Sequence, residues 1–453
     1  MGDTLAQKIM RTHLIDGVMA PGNQITLKID QTLTQDLTGI LVAQYVGAVA
    51  PEKLKTEKTV FYCDHNVIAA ASEGADDHLF LKTTAERYGI DLSKTGNGIC
   101  HFLHCQRYAA PGKTLLGSDS HTPTAGALGM LAIGSGGLTV AEASMGEGFK
   151  MNYPAIMNVR LTGKLRPGVA SKDVALEMMR QLTVKGGRGY ILEYTGDGVD
   201  TLSITERQTI SNMSIETGAV TGIFPVDAHT RAFLKGQKRA EDYVDLRADP
   251  DAVYDKCIEI NLSTLEPLVA LPHMPDKVKT VAEAGPVVPN SVFIGSCTNG
   301  SYYDIAKAAR ILKGHKVHKE IDLTVGPGSR QVLAQLINEG VIKDLVDAGA
   351  RIIECSCGPC IGIGQVPPQN GVAVRTSNRN FPGRSGNNDA SVYLVSPETA
   401  AATAINGCLT DPRTLIVPGM MEQVTEPEEC PVDDSGIIRP CDVKDPKAVT
   451  IIQ

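Results

Sequence analysis

The chain has 453 residues, 42% of them hydrophobic, enough for about three domains of ordinary size, each with its own core. A net charge of −8 and the absence of tryptophan argue against a nucleic-acid surface, which needs basic side chains interleaved with aromatics. The N-terminus interleaves acid and base instead of forming a secretory signal, and no window reaches the roughly 18 apolar residues of a membrane span. A cytoplasmic setting is therefore expected, with the eleven cysteines as reduced thiols or metal ligands.

In chain order, the first third joins short apolar runs to polar turns. Residues 60–63 lead into Asp64, His65 and Asn66, and residues 114–117 lead into Ser118, Asp119, Ser120 and His121. Both runs read as strands that end in reactive loops. The glycine-rich run 126–137 holds neither a Walker loop nor a Gly-x-Gly-x-x-Gly fingerprint, and reads as tight packing around residues 118–121. From about 161 to 272 the chain is more helical and more charged, with a helix predicted over 205–216.

The last third alternates strands, at 291–294, 323–325, 351–353, 372–375 and 392–395, with helices. Ile305, Ala308, Ala309 and Leu312 mark one helix face; Val332, Leu333, Leu336 and Ile337 mark another, closed by Gly340. The tail is acidic at 422–429 and rich in proline, and reads as a linker or a surface-wrapping extension. Strand alternating with helix means an α/β fold with mostly parallel sheets. The organisation expected is three consecutive α/β domains, 1–160, 161–273 and 274–417, with the extension at 418–453.

Ligands of such sheets gather at the carboxyl ends of the strands, and Cys297, residues 355–360 and residues 378–384 all follow strand ends. Cys297 and the Cys357-Gly-Pro-Cys360 pair stand in glycine-rich company that suits backbone wrapped closely around an inorganic cluster. Cys-x-x-Cys also serves zinc and redox dithiols, and Cys355 permits a second choice of ligands. A ferredoxin-type cluster uses four thiolates, whereas three leave one iron open to act as a Lewis acid.

Asp64 with His65, His101, and Asp119 with His121 place carboxylates near imidazoles, a pattern for proton transfer near neutral pH. His104 reads as a surface or packing residue. Arg379 and Arg384 are candidates for a bidentate carboxylate clamp, the local positive site an acidic protein needs for an acidic substrate.

Four stretches together, Gly117-Ser-Asp-Ser-His-Thr-Pro-Thr-Ala-Gly126, Ile294-Gly-Ser-Cys-Thr-Asn299, Cys357-Gly-Pro-Cys-Ile-Gly362 and Thr376-Ser-Asn-Arg-Asn-Phe-Pro-Gly-Arg384, closely resemble the aconitase family of iron–sulfur hydro-lyases. The family includes the isopropylmalate and homoaconitate dehydratases. The resemblance implies three α/β domains around a 4Fe–4S cluster on Cys297, Cys357 and Cys360, with one open iron and with Cys355 as a neighbour. It makes Asp64, His65, His101, Asp119, His121 and Glu216 the catalytic set, and Gln35, Ser120, Arg379 and Arg384 the substrate contacts. Asn212, Asn299 and Asn378 become surroundings of the cluster. Asn212 and Glu216 are four apart, so a helix puts them on one face. Thr124 stands where aconitases carry asparagine.

The reaction implied is reversible loss of water from a 2-hydroxy di- or tricarboxylate, of the aconitate or the isopropylmalate type. Aconitases also carry a mobile domain with a Gly-Ser-Ser-Arg-type motif that supplies a serine base. Gly328-Ser-Arg330 does not match it. A separate small subunit is therefore expected to complete the site, unless the chain is a fragment. Rival readings are a homoaconitate or 2,3-dimethylmalate dehydratase large subunit, an RNA-binding or cluster-sensing role, and electron transfer.

Overall fold

The computed structural model of the chain describes residues 2–69 and 71–452. Its backbone forms four sheets, three of them mostly or wholly parallel. The first runs Ile437–Ile438, Asp91–Ser93, Lys58–Tyr62, Gln31–Gln35, Thr114–Gly117, Leu131–Gly134, parallel throughout except for the Ile437–Ile438 edge. The second is wholly parallel around Ala155–Thr162, flanked by Tyr190–Thr195 and Lys256–Asn261, with Thr221–Ile223 at its edge. The third places Ser291–Ile294 between Val372–Arg375 and Asp322–Val325, with antiparallel strands at one side only. A small antiparallel sheet, Leu14–Gly17, Gln24–Leu27 and Phe149–Asn152, is the exception.

The central strands Gln31–Gln35, Thr114–Gly117 and Ser291–Ile294 are buried from end to end, as parallel strands covered on both faces are, whereas the edge strand Lys256–Asn261 is mostly exposed. Gln31–Gln35 is buried at every position although it carries two threonines and two glutamines. The periodicity of the last third is borne out closely. Ile305, Ala308, Ala309 and Leu312 are buried on Tyr302–Leu312, and Ser301 caps that helix through the Asp304 N–H. The second expected face is only half realised: on Arg330–Asn338 Val332 and Leu336 are buried, but Leu333 is half-buried and Ile337 is 57% exposed. The helix predicted over 205–216 runs Ile204–Ser214, then tightens into a 3₁₀ turn, Ile215–Thr217, that stops at left-handed Gly218.

The tail crosses the other units. Glu426 accepts from the Ser203 hydroxyl at 2.9 Å and from Thr205, and Ile437–Ile438 extends the first sheet through Leu92 and Ser93. Farther on, Arg87 donates to the carbonyls of Pro446 and Lys447. Among the described residues no helix is long and apolar enough to cross a membrane.

The arrangement aligns the candidate residues. Gln35, Asp64 with His65, and Ser118 with Asp119 follow the carboxyl ends of three neighbouring parallel strands. Cys297 and residues 376–379 follow two neighbouring strand ends of the third sheet. These are the ends at which open parallel sheets hold ligands.

Candidate active site

Cys297, Cys357 and Cys360 are brought together from two loops, packed with Ile99 and Phe102 in one buried cluster. Each loop is built to be tight. Ser296 adopts a left-handed φ of +71° directly before Cys297. A Cβ on Gly358 would lie 3.0 Å from the His65 carbonyl oxygen and 3.2 Å from Ile363 Cβ, so a side chain there would crowd its neighbours. The Cys357 N–H donates to the Asp64 carbonyl at 2.7 Å, which fastens the second loop to the first sheet.

Side-chain amides point at the sulfurs. Asn212 and Asn378 each donate from Nδ2 to Cys297 Sγ at 3.3 Å, and Arg384 Nη2 donates to Cys360 Sγ at 3.5 Å. Among the described residues, the three donors close enough to share a single ion, within 4.8 Å of one another, are Asp36, Asp64 and His65. The three thiols do not form a group of that kind. Cys355 is buried outside this cluster, and burial pushes its thiol up to about 12.

Asn299 is placed differently from the other two asparagines. Its Nδ2 donates to Thr209 Oγ1 at 3.4 Å and to Asp304 Oδ1 at 3.2 Å, and no sulfur is among its partners. Two residues on from Cys297 in a helical turn, it faces another way and supports the turn itself. Thr124 accepts from Asn212 Nδ2 at 2.8 Å and donates to the His121 carbonyl at 2.7 Å, so its hydroxyl links the Asn212 amide to the histidine loop.

Two carboxylate–imidazole pairs stand beside the thiols. His101 Nε2 is 2.8 Å from Asp119 Oδ1, which also accepts the His121 N–H at 2.8 Å. Burial pushes the Asp119 carboxyl up, but the His101 and His121 interactions outweigh it and hold the group well below the usual range. Gln35 reaches Asp119 Oδ2 at 3.5 Å, and His65 Nε2 lies 3.7 Å from the same oxygen. Ser120 Oγ lies 3.3 Å from His121 Nδ1. A Cβ on Gly134 would come within 2.9 Å of the Asp119 carbonyl oxygen, so the glycine run does serve close packing around this turn.

His121 Nε2 is 2.8 Å from Glu216 Oε1, and Arg379 Nε donates to that oxygen at 2.7 Å. Burial opposes ionisation of Glu216, yet the His121 bond and the nearby His121 and Arg379 charges lower its pKa. Arg379 therefore has a carboxylate partner, while Arg384 lies against the thiols. His104 is a packing residue, bonded to Tyr62 and Gln31 at 2.9 Å each and pushed down to about 3 by burial.

Sequence reasoning missed Asp36. Its Oδ1 accepts the His65 N–H at 2.8 Å and the Asp64 N–H at 3.3 Å; Oδ2 accepts the Asn66 N–H at 2.9 Å and meets His78 Nε2 at 2.8 Å. This carboxylate fixes the whole Asp64–His65 turn. The one sign of it in the sequence is its place beside Gln35 at a strand end. Asp64 in turn bonds His65 Nδ1 at 2.9 Å and accepts the Cys100 N–H at 2.7 Å.

Three companion thiols, carboxylate-held imidazoles and arginines, gathered from the strand ends of two sheets, fit the class of the iron–sulfur hydro-lyases. The chain belongs to the aconitase family, whose family model, described as aconitate hydratase, matches residues 7–291 and 287–407. It is 40% identical to the 3-isopropylmalate dehydratase large subunit 1 of Thermotoga maritima, over 92% of this chain and all of that relative. Large subunit 2 of Archaeoglobus fulgidus is 38% identical over the same shares. The mitochondrial aconitate hydratase of Gracilaria gracilis is 37% identical over 90% of this chain and 57% of its own length. Membership makes the chain an enzyme of the hydro-lyase type and implies an iron–sulfur group. The residues present fit such a group, with three soft thiols in a dry pocket and N–H donors aimed at sulfur.

Proposed function

We propose that the chain is the large, catalytic subunit of an isopropylmalate-type dehydratase, moving a hydroxyl on a 2-hydroxy dicarboxylate by loss and re-addition of water. Cys297, Cys357 and Cys360 would hold a 4Fe–4S cluster. When bound, that group supplies a Lewis-acidic iron for the substrate's hydroxyl and carboxylate.

The observation that carries the reading is the pair of hydrogen-bonded chains beside the thiols, His101 with Asp119 and His121 with Glu216 and Arg379. Each carboxylate holds its imidazole in one orientation. With Nε2–H held by Asp119, His101 in its doubly protonated form delivers the Nδ1 proton to the departing hydroxyl, which leaves as water and returns the ring to the neutral form. In the return direction the same histidine accepts a proton from the adding water. Arg379 and Arg384 stabilise the negative charge that gathers on the substrate carboxylate as its α-proton is removed. The proton-abstracting base and a further arginine come from a small partner subunit, a reading supported by the relatives named as large subunits.

The test is turnover by anaerobically reconstituted protein on 3-isopropylmalate, citrate, homocitrate and 2,3-dimethylmalate, with and without the cognate small subunit. Turnover of 3-isopropylmalate that requires the small subunit is expected. Equal turnover of citrate by the chain alone would overturn both the substrate and the partner.

A further inference from the structure

Lys172, the second residue of the helix Ser171–Leu182, is completely buried. Its Nζ donates to the carbonyl of Thr376 at 2.8 Å and to that of Ser377 at 2.6 Å, and it forms no ion pair among the described residues. An ammonium with no water around it persists only where its donors are used and its charge is balanced nearby. Both carbonyls belong to the turn that follows Val372–Arg375 and continues directly into Asn378 and Arg379.

Thr376 extends the contact to the second loop. Its hydroxyl accepts the Gly295 N–H at 2.9 Å and donates to the Gly295 carbonyl at 3.1 Å. Gly295 and Ser296, at φ +149° and +71°, form the sharp turn that presents Cys297. A single side chain thus fastens the two turns that carry Cys297, Asn378 and Arg379. Burial pushes Lys172 down to about 7, against the charges of Cys360, Asp304, Cys297 and Asp173. Burial also pushes the Asp173 and Asp304 carboxyls up to about 8 and about 7.

We propose that Lys172 is a positioning residue of the dehydratase site: its amino group clamps the 376–379 turn and, through Thr376, sets the turn that presents Cys297. The proposal rests on the dehydratase reading above and adds a residue to it from outside the loops that meet substrate. It also gives a role to a fully buried lysine that forms no ion pair among the described residues.

The experiment compares wild type, Lys172→Met, Thr376→Val and the double variant, each folded and reconstituted anaerobically with the small subunit added for assay. Amide hydrogen exchange, iron per chain, and kcat and KM are measured. In Lys172→Met, exchange is expected to rise in segments 293–299 and 376–384 while the rest of the chain keeps wild-type protection. Iron content falls, and kcat/KM drops about 10–100-fold, the usual loss when an outer support of a metal site is removed. Thr376→Val raises exchange in 293–299 alone, and the double variant loses no more than Lys172→Met.

Wild-type exchange in both segments, or a double-variant loss equal to the product of the single losses, would overturn the clamp. If Lys172→Met does not accumulate as folded protein, Thr376→Val decides the matter through the 293–299 segment. Absence of 3-isopropylmalate turnover in wild type would count against the function, and the exchange result would still judge the clamp.

Discussion

Glu216 and His121 meet across 95 residues of sequence, with Oε1 2.8 Å from Nε2, and the same oxygen receives Arg379 Nε at 2.7 Å. One buried carboxylate therefore orients an imidazole and a guanidinium at once. Glu216→Gln keeps an acceptor for His121 but removes the charge that balances Arg379. A fall in kcat/KM of about 10²–10⁴ is expected, the range for disturbing a positioned acid–base pair. Steady-state kinetics on 3-isopropylmalate with the small subunit present would check it, and an unchanged kcat/KM would remove Glu216 from the catalytic set.

The same residue sets a pH dependence. The folded pKa of Glu216 lies below its ordinary value, because the His121 bond and the nearby charges outweigh the upward push of burial. A lowered carboxylate contributes stability that is fully present above the unfolded value of about 4.3 and is lost as pH falls through the folded value. Wild type is thus expected to lose stability below pH ~4 more steeply than Glu216→Gln. Urea unfolding between pH 3 and 7 measures this, and parallel curves would contradict it.

Cys355 and Cys357 offer a direct discrimination. Cys357 packs with Cys297, Cys360, Ile99 and Phe102, whereas Cys355 is buried apart from them. Cys357→Ser is expected to lose bound iron after anaerobic reconstitution, and Cys355→Ser to keep wild-type iron and activity. Iron analysis of the two variants side by side decides the ligand set. Unchanged iron in Cys357→Ser would refute the assignment.

Asp36 holds Asp64, His65 and Asn66 by their backbone N–H groups. In Asp36→Asn one oxygen becomes an NH₂ that faces donors, so at least one buried N–H is left unpaired. A loss of about 1.5–3 kcal/mol is expected, the worth of hydrogen bonds to a charged group. Chemical denaturation reads the stability, and activity should fall as well because His65 loses its support.

Much of this protein was legible along the chain because the relevant signals are local. The strands at 291–294 and 372–375 and the buried face of Tyr302–Leu312 follow from apolar spacing. The turns after residues 62, 117, 294 and 375 carry recognisable chemistry at strand ends. His104 was rightly set aside, since an imidazole with two buried partners is committed to packing.

What the sequence by itself determined was the inventory: an α/β chain, a cysteine trio with an ambiguous fourth, and histidines, carboxylates and arginines at strand ends. Tertiary structure decided the pairings. It separated Cys355 from its neighbours, turned Asn299 away from sulfur, and joined His121 to Glu216 and Arg379. It also brought Lys172 to carbonyls 204 and 205 residues away. The reason is physical. Periodicity and turn chemistry act over a few residues, whereas the partner of a buried charge is chosen by how the sheets and their helices pack, once water is excluded and every donor must find an acceptor.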